Sequence, residues 1–197
     1  MRILHYLIHP AQSRSVANAA LWQSTRSLDG ITRVDLYADY PRHNINADTE
    51  QKRLLDHDII VFQFPMFWYA APSLLKEWTD LVLEQGFAFG PEGNKLRGKK
   101  MLLAITTGGS AHAFTAGGYQ QRDVSQYLLP YEQTAHLCQM EFLTPFVFHD
   151  AVREPAAPQA HAFAQLLTAL RDETFDFSKL TNLEIQTPQS IQQMIGG

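Results

Sequence analysis

The most constraining feature of this chain is the alternation of short apolar runs with segments of helical length. Five runs have the length and composition of β-strands: residues 3–8, 32–37, 58–64, 100–106 and 141–149. Helix-sized segments follow them at residues 15–28, 47–56, 72–82, 122–138 and around 163–170. Strands that alternate with helices become parallel neighbours joined by right-handed crossovers. The sequence therefore predicts an α/β fold, a doubly wound sheet of five parallel strands with helices on both faces. Pattern alone leaves the strand order open.

The length predicts a single domain. The chain has 197 residues, 45% of them hydrophobic, which is enough for one sizeable core. We expect this domain to span residues 1–175. Residues 176–197 are polar and end in Gly-Gly. They predict a C-terminal tail that is either loose or laid on the surface of a partner.

Charge and cysteine content exclude several classes of protein. The balance of 16 Lys and Arg against 20 Asp and Glu gives a net charge of −4 without a basic block, so nucleic acid is not an expected partner. Cys138 is the only cysteine, which rules out an intrachain disulfide and favours a reducing cytoplasm. Its apolar neighbours predict a buried, inert thiol. The metalloprotease pattern H-E-x-x-H and the hydrolase pattern G-x-S-x-G are both absent, so no metal is expected.

Ligands of an open parallel sheet bind beyond the carboxyl ends of its strands. The loops after strands one, three and four are therefore the expected ligand-binding segments. The first loop contains His9, Ser13, Arg14 and Ser15 just before a predicted helix. Hydroxyl groups, a guanidinium and free N–H groups at a helix N-terminus suit a phosphate. The alternative is that Ser13 or Ser15 merely caps the helix.

The third loop carries three consecutive aromatic residues, Phe67, Trp68 and Tyr69, between Pro65 and Pro72. Side chains of adjacent residues diverge, so one core cannot bury all three rings. Exposed aromatic rings would stack on a planar ligand. The alternatives are a dimer interface or ordinary core filling.

The fourth loop, Thr106-Thr107-Gly108-Gly109, lets the backbone approach a ligand closely, so its N–H groups can donate to a ring edge. A tight turn is the alternative. The three loops together predict one site with a phosphate cradle, an aromatic wall and a donor loop. Flavin mononucleotide (FMN) is the ligand that meets all three requirements most economically.

These segments resemble the flavodoxin-like NAD(P)H:quinone oxidoreductases over about residues 2–172. The likeness is carried by His9-Pro10 with Ser15 and Asn18, by Pro65-Met66-Phe67-Trp68-Tyr69, by residues 74–80 continuing to Gly86-Phe87-Ala88, and by Thr106-Thr107-Gly108-Gly109. The segment 36–41 is similar to the bacterial branch that includes ancillary flavoproteins of glutathione-gated potassium efflux systems. The resemblance implies the strand order 2-1-3-4-5.

The resemblance also implies a noncovalent flavin at the three loops, FMN or else FAD. The implied cofactor-binding residues are His9, Ser15, Val16, Ala17, Asn18, Met66, Phe67, Trp68, Tyr69, Thr106, Thr107, Gly108 and Gly109. Trp68, Phe114 and Tyr119 would line the substrate pocket. Phe114 stands near a position where some members have a tyrosine, so Tyr119 is the candidate catalytic hydrogen-bond donor.

The activity that the resemblance implies is a two-electron, ping-pong hydride transfer from NADH or NADPH through the flavin to a quinone. It implies a cytoplasmic homodimer with its sites at the subunit boundary. The alternative is a regulatory subunit that binds and activates a membrane potassium efflux protein, which would place it at the inner face of the membrane. An electron-transfer flavodoxin fits less well, because flavodoxins are commonly far more acidic than this chain, whose net charge is −4.

Overall fold

The computed structural model describes residues 1–176 together with Ser190, Ile191 and Met194. Six strands are present in these residues: β1 (Ile3–Leu7), β2 (Ile31–Asp35), β3 (Ile59–Pro65), β4 (Lys100–Thr106), β5 (Glu141–Phe142) and β6 (Phe146–Phe148). The α-helices are α1 (Val16–Ser24), α2 (Leu36–Asp39), α3 (Ala47–Leu55), α4 (Ser73–Val82), α5 (Val124–Leu137) and α6 (Ala156–Arg171). Short 3₁₀ turns lie at Gln12–Arg14 and Ala111–Phe114.

The sheet is parallel in every pairing and has the order β2-β1-β3-β4-β5, with β6 also paired to β4. The predicted doubly wound fold and the order 2-1-3-4-5 are confirmed. Ile3 lies opposite Ile31 on one side and Ile59 on the other, so β1 is central. This order brings the carboxyl ends of β1, β3 and β4 side by side.

Three predicted boundaries are wrong, two of them for an identifiable local reason. The predicted strand 141–149 is two strands, because Pro145 lacks an N–H and cannot extend the ladder. The predicted strand 32–37 ends at Asp35, whose carboxylate accepts a hydrogen bond from Ala38 N at 3.1 Å and begins α2. The first helix ends at Ser24 rather than at residue 28.

Two apolar cores lie on opposite faces of the sheet. Alternate strand residues such as Tyr6 and Phe62 face the core that includes Trp78 of α4. The intervening residues, such as Val61, face the core that includes Phe163 of α6. All five side chains are buried, as expected for a parallel sheet covered on both faces.

Part of the predicted tail packs against this domain. Ile191 and Met194 are helical and buried in the same core as α6. The tail positions 177–189, 192–193 and 195–197 lie outside the described residues. Within the described part of the chain, no helix has both the length and the apolar character needed to cross a membrane.

Candidate functional site

The carboxyl ends of the central strands open onto a cavity of about 630 Å³, within the usual size of ligand sites. The predicted residues that line it are His9, Ser15, Val16, Ala17, Asn18, Met66, Phe67, Thr106, Thr107 and Gly108. The structure therefore brings residues of all three predicted loops to one place, whereas Trp68, Tyr69 and Gly109 of those loops lie outside the lining. Arg14, Pro65, Ala151 and Val152 also line the cavity. Ala151 and Val152 were not predicted, because their side chains carry no recognisable chemistry.

The N-terminus of α1 forms one end of the cavity. Ser15 is the N-cap: its Oγ accepts a hydrogen bond from Asn18 N at 3.1 Å. The N–H groups of Val16 and Ala17 have no hydrogen-bond partner among the residues described here. Unpaired N–H groups carry the partial positive charge of the helix N-terminus. This end can therefore bind an anion.

His9 adds a neutral donor beside these N–H groups. Its Nδ1 accepts a hydrogen bond from Ala11 N at 3.0 Å, so the neutral ring carries its hydrogen on Nε2. Burial lowers the pKa of His9, which keeps the ring uncharged at neutral pH. Arg14, which lines the same cavity, supplies the formal positive charge.

A chain of buried hydrogen bonds holds α1 against the sheet. Asn18 Nδ2 donates to Thr106 Oγ1 at 2.8 Å, and Gln63 Nε2 donates to Asn18 Oδ1 at 3.1 Å. Gln63 Oε1 is 3.0 Å from His5 Nε2, and His5 Nδ1 is 3.3 Å from Thr25 Oγ1. Burial lowers the pKa of His5 to about 3, so this ring stays neutral. The side chain of Asn18 is thus committed to the support of the site.

The aromatic loop is a tight two-residue turn. Phe67 and Ala70 exchange backbone hydrogen bonds of 2.9 and 3.1 Å. Trp68 and Tyr69 between them have φ values of 48° and 66°, a left-handed conformation that usually selects asparagine or glycine. Backbone strain of this kind is concentrated at functional sites. Two large rings at these positions therefore point to a binding role.

The two rings differ in their surroundings. Trp68 is 93% exposed, so its face is open to a ligand or a partner. Tyr69 stacks on Tyr127 of α5, with ring centroids 5.0 Å apart, and its hydroxyl donates to Gln120 Oε1 at 3.0 Å. Tyr69 therefore ties the aromatic loop to the loop that follows β4.

The fourth loop, Thr106-Thr107-Gly108-Gly109, is called the glycine loop below, and its backbone is hydrogen-bonded to the end of β6 and the residues after it. Thr107 N donates to Phe148 O at 3.0 Å, and Asp150 N donates to Gly109 O at 2.9 Å. The expected donor role of the Thr107 N–H is therefore wrong, since this group is already paired. The N–H groups of Gly108 and Gly109 have no partner in the part of the chain that the structure describes. A Cβ added at Gly108 would meet no atom within 4 Å, so this backbone borders open space.

The predicted substrate residues are not gathered at the cavity. Phe114 is buried and packs against Tyr127 and His149. Tyr119 is 88% exposed and lies outside the cavity lining. Cys138 is buried, and burial raises the pKa of its thiol to about 11, in agreement with the predicted inert role.

Comparison with known proteins agrees with this geometry. A family model described as a flavodoxin-like fold matches residues 1–173. General stress protein 14 of Bacillus subtilis is 42% identical over 166 residues, which cover 84% of this chain and 95% of that protein. A glutathione-regulated potassium-efflux system ancillary protein of Serratia proteamaculans is 42% identical over 164 residues, covering 83% of this chain and 90% of that protein.

Two solved structures are similar over most of their length. General stress protein 14 of Treponema denticola, in complex with FMN, superposes with a TM-score of 0.80 at 36% identity and covers 88% of this chain and 99% of its own. A protein of P. pentosaceus described as an NADPH-quinone reductase has a TM-score of 0.75 at 29% identity, with 84% and 97% covered. The chain belongs to the flavodoxin-like family.

Proposed function

We propose that the protein is an FMN-dependent NAD(P)H:quinone oxidoreductase. The observation that carries this proposal is the cavity at the ends of β1, β3 and β4, which is lined both by the free N–H groups at the start of α1 and by Gly108, whose N–H is also free. The names of two similar proteins support it, since one is described as an NADPH-quinone reductase and another was solved in complex with FMN.

The described residues fit FMN. The phosphate would be held by the N–H groups of Val16 and Ala17, the Ser15 hydroxyl and Arg14, which together offer donors and positive charge. His9 would donate through Nε2 without adding charge. None of these donors has a hydrogen-bond acceptor in the described part of the chain, which is the state expected of a site that binds an anion.

Other residues would hold the flavin ring. Gly108 and Gly109 would donate N–H groups to its polar edge, and such donors stabilise negative charge that develops there. Met66 and Phe67 would lie along the ring, since they line the same cavity. Bound FMN would supply two-electron redox chemistry between a nicotinamide and a quinone.

The open face of Trp68 would stack on the nicotinamide and, after its departure, on the quinone. Use of one place by both substrates predicts ping-pong kinetics. The Tyr119 hydroxyl would donate a hydrogen bond to a bound substrate. A second copy of the chain would bury the exposed rings of Trp68 and Tyr119, in keeping with a homodimer whose sites lie at the subunit boundary.

The proposal is tested on the purified protein. We expect a yellow protein whose absorption spectrum is that of flavin and whose heat-released cofactor has the mass of FMN. We expect it to oxidise NADH or NADPH only when a quinone is added, with parallel initial-rate lines. A colourless protein that fails to take up added FMN would contradict the proposal.

A matched pair of glycine substitutions tests the ring contact. Gly108→Val places a side chain in open space, so the fold should be kept while the polar edge of the flavin is obstructed. We expect FMN affinity to fall by roughly tenfold, the loss of about one hydrogen bond. Gly117→Val is the control, because Gly117 is in the same loop and its Cβ would also meet no atom within 4 Å. Equal affinities of the two variants, measured by fluorescence titration, would argue against the contact.

The ancillary role of the Serratia relative suggests a membrane potassium efflux protein as a further partner of this chain. Such a partner would hold the protein at the inner face of the membrane. We rank this role below quinone reduction, because a small bound ligand explains the two sets of unpaired N–H donors, one at the start of α1 and one at Gly108 and Gly109. Copurification with an efflux protein, in a preparation that binds FMN but does not reduce quinones, would reverse the ranking.

A further inference from the structure

His149 lies just beyond the carboxyl end of β6, beside the glycine loop. Its Nδ1 is 3.1 Å from Thr107 Oγ1, and Thr107 Oγ1 is 2.8 Å from Gly109 O. A carbonyl oxygen cannot donate, so the one hydroxyl hydrogen of Thr107 must point at Gly109. The hydrogen between the ring and Thr107 must then belong to Nδ1. The contacts therefore define His149 as the Nδ1–H tautomer, with a bare Nε2.

The other half of the ring is not paired. His149 Nε2 is buried and has no hydrogen-bond partner among the described residues. The ring packs against Phe114, with centroids 5.6 Å apart. A phenyl ring would fill this space without leaving a buried acceptor unsatisfied. Packing alone does not explain a histidine here, whereas its Nδ1–H contact is something phenylalanine could not make.

The hydrogen bond of His149 is linked to the backbone of the glycine loop through the Thr107 hydroxyl. The hydroxyl of Thr107, held by His149, donates to Gly109 O, which also accepts from Asp150 N at 2.9 Å. Two adjacent glycines have more backbone freedom than any other pair of residues. The bonds to the Gly109 carbonyl fix the peptide unit after Gly109, and the bond from Ala151 N to Thr107 O at 2.9 Å fixes the unit that carries the Gly108 N–H. The Gly109 N–H lies in the unit between them, so its orientation is restricted from both sides.

We propose that His149 is a positioning residue of the flavin site, which acts through the Thr107 hydroxyl to hold the Gly108 and Gly109 N–H groups toward the ring. This inference rests on the FMN-dependent function proposed above. His149 itself is assigned no contact with the flavin, since its Nδ1 is bonded to Thr107 and its ring packs against Phe114.

Two substitutions separate the hydrogen bond from the packing of the ring. His149→Phe keeps the ring and removes the donor, and His149→Asn restores an amide N–H close to the place of Nδ1–H. We expect His149→Phe to bind FMN roughly tenfold more weakly than the wild type, and His149→Asn to recover most of the loss. Thr107→Val should cause a similar loss, and the double variant His149→Phe/Thr107→Val should lose no more than either single variant.

The midpoint potential of the bound flavin is the second readout. Loop N–H groups stabilise the reduced, anionic ring more than the oxidised ring, so misorienting them should lower the potential. A tenfold loss of this preference corresponds to a shift of about 30 mV for a two-electron couple. A purely structural role would instead lower the urea midpoint of unfolding without moving the potential.

The outcomes are distinguishable. If the wild type itself binds no FMN, the proposed function fails and this inference fails with it. If the wild type binds FMN and His149→Phe matches it in affinity and potential, only the role of His149 is overturned. Losses that add in the double variant would also overturn it, because they would show that His149 does not act through Thr107.

Discussion

Replacement of Ser15 by aspartate is expected to lower FMN affinity by at least a hundredfold while leaving the fold intact. Aspartate is as good an N-cap as serine, so α1 should still begin at this residue. Its carboxylate would lie beside the N–H groups of Val16 and Ala17, where the phosphate is proposed to bind. Two like charges at about 4 Å near a protein surface repel by several kcal/mol, which is the basis of the expected loss.

The control for this charge is Ser15→Asn. Asparagine has nearly the same shape as aspartate and also caps helices, but it is neutral. We expect Ser15→Asn to bind FMN far better than Ser15→Asp, and the gap to narrow as salt is added. Fluorescence titration of the apoproteins measures both affinities. If the two variants bind equally well, the anion does not lie at this helix.

The largest loss of stability is expected from Glu50→Ala. Glu50 is fully buried on α3 and accepts hydrogen bonds from Tyr6 Oη at 2.5 Å, Tyr40 Oη at 2.7 Å and Trp78 Nε1 at 3.0 Å. It also pairs with Arg53 Nη1 at 2.7 Å. Removal of the carboxylate would leave several donors and a cation without their acceptor. We expect the free energy of unfolding to fall by about 4 kcal/mol.

The phenols keep this cluster intact over a wide pH range. Burial, helped by the hydrogen bond to Glu50, raises the pKa of Tyr40 to about 12, and burial also raises the pKa of Tyr6. Both groups therefore remain protonated donors at neutral pH. The matched control is Asp80→Ala, which breaks an exposed pair with Lys76 on α4 and should cost less than about 1 kcal/mol. Urea denaturation in which the two variants are equally stable would contradict the assigned importance of Glu50.

The position of the site was predictable because it follows from the sheet. Apolar runs locate the strands, and parallel strands bring their carboxyl ends to one edge, so the residues after β1, β3 and β4 had to meet. The split between β5 and β6 was not predictable from apolar periodicity, since Leu143 and Phe146 continue the pattern across Pro145. Periodicity records which side chains are apolar and does not record which N–H groups are missing.

The supports of the site were also missed, for a related reason. His5 and Gln63 interrupt apolar strands, and only the folded chain shows that Gln63 joins His5 to Asn18 of α1. The paired state of the Thr107 N–H depends on Phe148, a distant part of the sequence. The family resemblance predicts Phe114 in the substrate pocket, but its ring is buried next to Gly109. Long-range contacts of this kind leave no local signal.

The left-handed turn at Trp68 and Tyr69 lowers the stability of the fold in exchange for two aromatic rings at its tip. Asn-Gly is the pair of residues that this turn geometry favours. Its introduction at positions 68 and 69 would remove strain of about 1 kcal/mol or more per residue. Selection for heat tolerance alone would therefore tend to erase both rings. An Asn-Gly version of this turn is therefore expected to be more stable, and its turnover should be checked before use.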